Sequence, residues 1–129
     1  MGSWNAVRDE QFGAAQHCKD GRYVRGCLSR AYYATYAAAT EALQRAGIDV
    51  SIGGRPNPGH EQLIELVRHN LNRRKFSDED RMKMARNMRR LLSFRIGADY
   101  DPESSFEIDD AVLALKMARS VQRMLDGVE

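Results

Sequence analysis

The sequence predicts an all-α fold, an up-and-down bundle of four or five helices, on three observations. Apolar residues recur at three- and four-residue steps through long segments, the period of one helical face. Serine caps and glycine or proline breaks fall between those segments. No run alternates apolar and polar residues as a half-buried strand does, and no repeat or low-complexity stretch interrupts the pattern.

Ser3 is placed to cap a first helix reaching about His17, with Ala6, Val7, Phe12, Ala14 and Ala15 as its apolar residues and Lys19-Asp20-Gly21 as the turn. A long helix follows from about Tyr23 to Ala46, with Val24, Cys27/Leu28, Ala31, Thr35, Ala38/Ala39, Ala42 and Ala46 on one face. Its alanines point to close approach by a neighbouring helix, and Gly47 is the natural stop. Ser51 to Gly59 reads as a loop; it lacks the Gly-Lys-Ser/Thr ending of a phosphate-cradling P-loop. A third helix is expected over His60–Arg74, with Leu63/Ile64, Val67 and Leu71 inward. Ser77, followed by Asp78, Glu79 and Asp80, opens a fourth, since a serine cap and first-turn acids suit the helix dipole. Met82, Ala85, Met88/Arg89 and Leu92 give it a buried stripe that ends near Gly97. The last helix starts at about Glu107 and uses Ala111/Val112, Leu115, Ala118, Val121/Gln122 and Leu125.

At 129 residues the chain suits one domain with a single core. Hydrophobic content of 43% beside 29% charge fits a globular rather than a disordered chain. No apolar run approaches the ~20 residues that span a bilayer, and the N-terminus carries charge where a secretory signal is apolar. The expected setting is therefore cytoplasmic, away from membranes. The two cysteines, Cys18 and Cys27, are too few for a disulfide framework or zinc site and are expected to stay reduced. His17, His60 and His69 are scattered and no HExxH occurs, so neither a metal nor a cofactor is expected.

Net charge is only +2, but it is unevenly spread. Arg68 to Arg95 carries ten basic residues against three acids, whereas Asp99 to Asp110 carries six acids and no base. Lys83, Arg86, Arg89 and Arg90, at three- and four-residue steps, form one stripe suited to a phosphate backbone or an acidic partner. At the junction of the two charge runs stands Arg95-Ile-Gly-Ala-Asp99-Tyr100-Asp101-Pro102, an arginine beside two carboxylates and a phenol. Gly97 and Pro102 place that stretch at a helix end. A cationic fork among groups that move protons suits phosphate handling. Arg30, in Ser29-Arg30-Ala31-Tyr32-Tyr33-Ala34, sits mid-helix among alanines and tyrosines and requires a carboxylate or a polar groove. Arg30, Arg95, Asp99 and Tyr100 are expected to converge, with His60 joining them.

Ser-Arg-Ala-Tyr-Tyr-Ala at 29–34, the Gly47-Ile48 helix end, the His60 helix start and Arg95-x-x-Ala-Asp-Tyr-Asp-Pro at 95–102 together resemble the HEPN family, in its branch of small stand-alone helical proteins. The resemblance runs from about Ala14 to Leu125. It implies a helical bundle that dimerises, and a metal-independent endoribonuclease of the kind encoded as a toxin beside a silencing nucleotidyltransferase. The family's signature is an Arg-x4-6-His pair. Arg95 matches the arginine, but no histidine follows it; Asp99 and Tyr100 stand there, and Arg55–His60 has the spacing in the wrong loop. The resemblance thus casts Arg95, Asp99, Tyr100 and His60 as catalytic candidates, with Arg30, Lys83, Arg86 and Arg90 on phosphate or RNA. The alternative is a non-catalytic module that docks a nucleotidyltransferase or another partner.

Overall fold

The computed structural model describes residues 3–51, 59–71 and 74–127. Among them are five α-helices and no strand: α1 (Trp4–Asp20), α2 (Val24–Arg45), α3 (His60–Asn70), α4 (Asp78–Tyr100) and α5 (Ile108–Leu125). The all-α bundle is as the periodicity predicts. Arg55 and the glycine-proline stretch 52–58, like Arg73, lie outside the described residues.

α2 is the axis of the bundle. It touches α1, α3, α4 and α5, and its residues Ala34 to Thr40 are all buried. Seven consecutive buried residues point in every direction around a helix, which is why six of them are not large: Ala34, Ala37, Ala38 and Ala39 let neighbours come close, and the Thr35 and Thr40 hydroxyls bond back to the Ala31 and Tyr36 carbonyls at 3.1 and 2.8 Å. The alanines of α2 are thus enclosed within one chain together with Tyr32 and Tyr36, by the close helical neighbours that small side chains allow.

Local signals explain most boundaries. Ser3 Oγ accepts from the Ala6 amide at 3.1 Å and Ser77 Oγ from the Asp80 amide at 3.0 Å. Gly47 takes φ 77°, and the Ile48 amide reaches back to the Leu43 carbonyl at 2.9 Å; this left-handed turn is what glycine supplies cheaply. Glu107 and Asp110 form a capping box at the start of α5.

Two boundaries and two buried faces differ from expectation. α3 stops at Asn70, four residues short of Arg74, because Leu71 turns extended (ψ 148°) to bury its side chain. α4 continues past Gly97 to Tyr100. Gly97 is not a helix stop: a Cβ there would sit 2.8 Å from the Phe106 ring, so glycine admits the loop that folds back on α4. The buried stripe of α4 is Arg81, Met84, Ala85, Met88, Leu91, Leu92 and Ala98, with Met82 exposed. Arg81 enters the core because its guanidinium ties the α3–α4 turn, donating to the Arg68 and Phe76 carbonyls at 3.2 and 2.8 Å and to Asp78 at 3.2 Å. On α5, Val112 is likewise exposed, and Ala114, Met117 and Met124 join the core.

Candidate functional site

The C-terminal half of α4 lies antiparallel to the first half of α2, and a polar seam joins them. Arg25, Ser29 and Tyr33, at four-residue steps on one face of α2, meet α4 in reverse order. Arg25 donates to the carbonyls of Gly97 (3.2 Å), Ala98 (3.0 Å) and Asp101 (2.9 Å), and also to those of Pro102 and Ser104. Its guanidinium lies 5.4 Å from the centre of the Phe106 ring. The last carbonyls of a helix have no partner within it and concentrate its negative dipole end, so a cation placed there both satisfies and neutralises them. Arg25 fixes the last turn of α4 and the loop after it.

That last turn carries the site. Ser29 Oγ donates to Asp99 Oδ2 at 3.1 Å. Arg95 Nε donates to the same oxygen at 3.2 Å, and its Nη2 reaches the Tyr33 and Tyr100 hydroxyls at 2.8 and 3.2 Å. The guanidinium carbon lies 5.3 Å from the Tyr33 ring centre and 5.2 Å from that of Tyr100, within range of cation–π attraction. Arg95 is therefore held from three sides, its side chain 11% exposed, while Tyr100 remains 68% exposed. A guanidinium fixed in this way presents its remaining N–H groups without loss of rotamer freedom.

His60, the first residue of α3, packs beside Tyr33 and within reach of the Arg95 charge. Its Nδ1 is 2.6 Å from the Tyr32 hydroxyl, and its ring packs edge-on to Tyr32, Tyr33 and Tyr36 at 5.3, 6.4 and 5.7 Å. Burial, and then the nearby Arg95 charge, hold its pKa below the ordinary 6.5, so the imidazole is neutral at pH 7. Burial, and then Tyr36, push the Tyr32 phenol above its usual value. Tyr32 thus keeps its proton, and Nδ1 is the acceptor given to it among the described residues. The imidazole's own hydrogen then resides on Nε2.

Four of the predicted site residues, Arg95, Asp99, Tyr100 and His60, are thus brought to one place. Arg30 is not. It is exposed and donates to Gln11 Oε1 of α1 at 3.4 Å; its neighbour Ser29 takes the contact with Asp99. One residue is a turn of about 100° on a helix, enough to move Arg30 off the seam. Arg25 and Ser29 were not singled out from sequence, although their four-residue spacing to Tyr33 was a readable signal.

The basic stripe of α4 also divides. Lys83, Arg86 and Arg90 are exposed and have no hydrogen bond or ion pair among the described residues. Arg89 instead pairs with Glu65 of α3 at 2.6 Å. Arg86 and Arg95 are nine residues apart, about two and a half turns, so the stripe and the Arg95 cluster occupy opposite faces of α4. Nor does the acidic run neutralise the stripe. Asp101 accepts from Ser104 Oγ at 2.6 Å and Asp110 from the Glu107 amide at 2.8 Å, both holding the loop in shape.

Cys18 and Cys27 are free thiols, and burial, then Cys18, raises Cys27 to about 11. Among the described residues no group of three or more His, Cys, Asp or Glu side chains is placed to share a metal ion, and no helix is long and apolar enough to cross a membrane. Neither a scan against protein-family models nor a search of curated proteins finds a match for this chain.

Proposed function

We propose that this chain is a HEPN-type protein acting on RNA, the toxin-like half of a pair with a nucleotidyltransferase, and that Arg95 holds the phosphate in metal-independent cleavage. The observation that carries this reading is the Arg95 guanidinium, fixed by Tyr33, Tyr100 and Asp99 and neighboured by His60. Metal-free cleavage requires positive charge on the phosphate, a base for the 2′-hydroxyl and an acid for the leaving oxygen. In this reading Arg95 supplies the charge and His60 Nε2–H a second donor. Asp99 Oδ1, without a partner among the described residues, takes the proton of the 2′-hydroxyl as its oxygen bonds to phosphorus. The P–O5′ bond breaks, and the leaving oxygen is protonated from the exposed Tyr100 phenol. Lys83, Arg86 and Arg90 bind further phosphates.

A second reading is a docking module without catalysis, through which a nucleotidyltransferase or other partner is held. What favours it is the engagement of both proton-handling groups: Nδ1 of His60 by Tyr32, and Asp99 Oδ2 by Ser29 and Arg95. A homodimer belongs to either reading, on the family resemblance alone, and sedimentation as a monomer at tens of micromolar removes it.

Incubating the purified protein with total cellular RNA, with and without chelator, across pH 6–9 separates the readings. Cleavage is expected to persist with chelator and to fall by ~10²–10³-fold in Arg95→Ala, the usual cost of one charge-stabilising donor. RNA left intact at every pH moves the assignment to the docking module.

A further inference from the structure

Two exposed apolar side chains stand beside the held guanidinium. Ile96 and Tyr100, four residues apart, share one side of the last turns of α4 and are 48% and 68% exposed. Arg95 Nη2 donates to the Tyr100 hydroxyl at 3.2 Å, and its guanidinium lies 5.2 Å from the ring centre. Most of the ring is nevertheless open to solvent. Tyr32 is the contrast: its hydroxyl is also bound, but its ring is fully buried and fills the core. The Tyr100 ring does no such packing.

Tyr100 is also the member of the Arg95 cluster whose backbone stands on the side of the basic stripe. Positions 86, 93 and 100 recur at sevens, and a straight helix drifts only about 20° per heptad. Arg86, Ser93 and Tyr100 are all exposed, so open cations and an open aromatic ring lie along one face. This face is wrong for a protein partner. A stable protein interface buries about 800 Å² on each side around an apolar centre, and one apolar pair beside cations does not supply that. The face suits a polyanion that also carries flat apolar groups, which is the chemistry of single-stranded RNA.

We propose that Tyr100, with Ile96, is the stacking platform for the nucleobase on the 3′ side of the phosphate held by Arg95. The proposal rests on the RNA reading above, in which the Tyr100 hydroxyl serves the leaving O5′; the sugar nearest its ring is then the one that carries O5′. A base inside a duplex has its faces covered by its neighbours, so only unpaired RNA makes this contact, and the pair sets specificity for it.

One phosphate fixes the register, so the probe is 2′-deoxyuridine joined through its 3′-phosphate to adenosine, which lacks the attacking hydroxyl. It is titrated into the full chain with NMR detection, beside two companions that lack the base of the 3′ or the 5′ residue. Loss of the 3′ base is expected to weaken binding about five- to hundredfold, the worth of one base–aromatic stack, and loss of the 5′ base about twofold or less. Tyr100→Leu, which keeps an apolar side chain but no ring, should bind the parent as weakly as the wild type binds the probe without its 3′ base, and should lose nothing further with that probe. Tyr100→Phe, which keeps the ring and loses the hydroxyl, should retain the preference. Equal binding of the parent and the probe without its 3′ base, or a preference that survives Tyr100→Leu, would overturn the platform while leaving the RNA reading in place. If neither the dinucleotide nor a longer RNA binds, the RNA reading itself fails and the platform falls with it.

Discussion

The two faces of α4 solve opposite problems with the same residue type. On one face Lys83, Arg86 and Arg90 are exposed, without partners among the described residues. On the other, Arg95 is 11% exposed and bound to two phenols and a carboxylate. Exposed cations are mobile and screened by salt, so they add affinity for any polyanion and little geometry. A guanidinium held on three sides in a partly buried seam has its orientation set in advance, and its charge is screened less. Basic residues on a helix therefore do not form one class. What each can do depends on what its own face of the helix packs against.

Disrupting the support of the held face gives the largest expected effect on stability. Arg25→Met removes five carbonyl contacts at the end of α4. With a loss of about 1.5–3 kcal/mol per charged hydrogen-bonding group removed, urea unfolding should show a drop of that order. Arg86→Ala should leave the same curve unchanged within about 0.5 kcal/mol. If the two variants unfold alike, Arg25 does not organise this end of α4.

A smaller effect should appear only on the open face. Arg86→Ala should reduce the salt slope of RNA binding by about 0.7–0.9, the contribution of one phosphate contact. Arg95→Ala should reduce that slope by less, because its cation is already paired with Asp99 before RNA binds.

The smallest effect is a pH dependence confined to the held face. His60 has its pKa lowered by burial and Arg95, so folding favours the neutral ring. Above the ordinary value of 6.5 its contribution to stability is fully present. As pH falls through that value the unfolded chain takes up the proton first, and stability declines toward the lowered folded pKa. Melting temperature should therefore fall more between pH 7 and 5 in the wild type than in His60→Gln. Phosphate binding at Arg95 should strengthen over the same range as a second positive charge forms, whereas binding through Lys83, Arg86 and Arg90 should not move.

How much of this was legible in the sequence follows from the same contrast. Features set by local chemistry were readable: the Ser3 and Ser77 caps, Gly47 and the apolar periods. Arg95, Asp99 and Tyr100 are within five residues of one another, so their meeting was readable too. Features set by a distant partner were not. Gly97 looked like a helix stop because Phe106, which requires it, is brought back only by the tertiary fold. Arg30 was favoured over Ser29 because charge is conspicuous, while the facing of α4 decides which of two neighbours reaches Asp99. The enclosure of α2 was hidden for a similar reason: alanine repeats predict close neighbours, not how many.

The central claim is that the two faces of α4 do separate work, and single-turnover cleavage of one RNA at rising protein concentration tests it most directly. Arg95→Ala should lower the plateau rate by ~10²–10³-fold with the half-saturating concentration unchanged. Arg86→Ala should raise the half-saturating concentration and leave the plateau where it is. Loss of the same quantity in both variants would contradict the account.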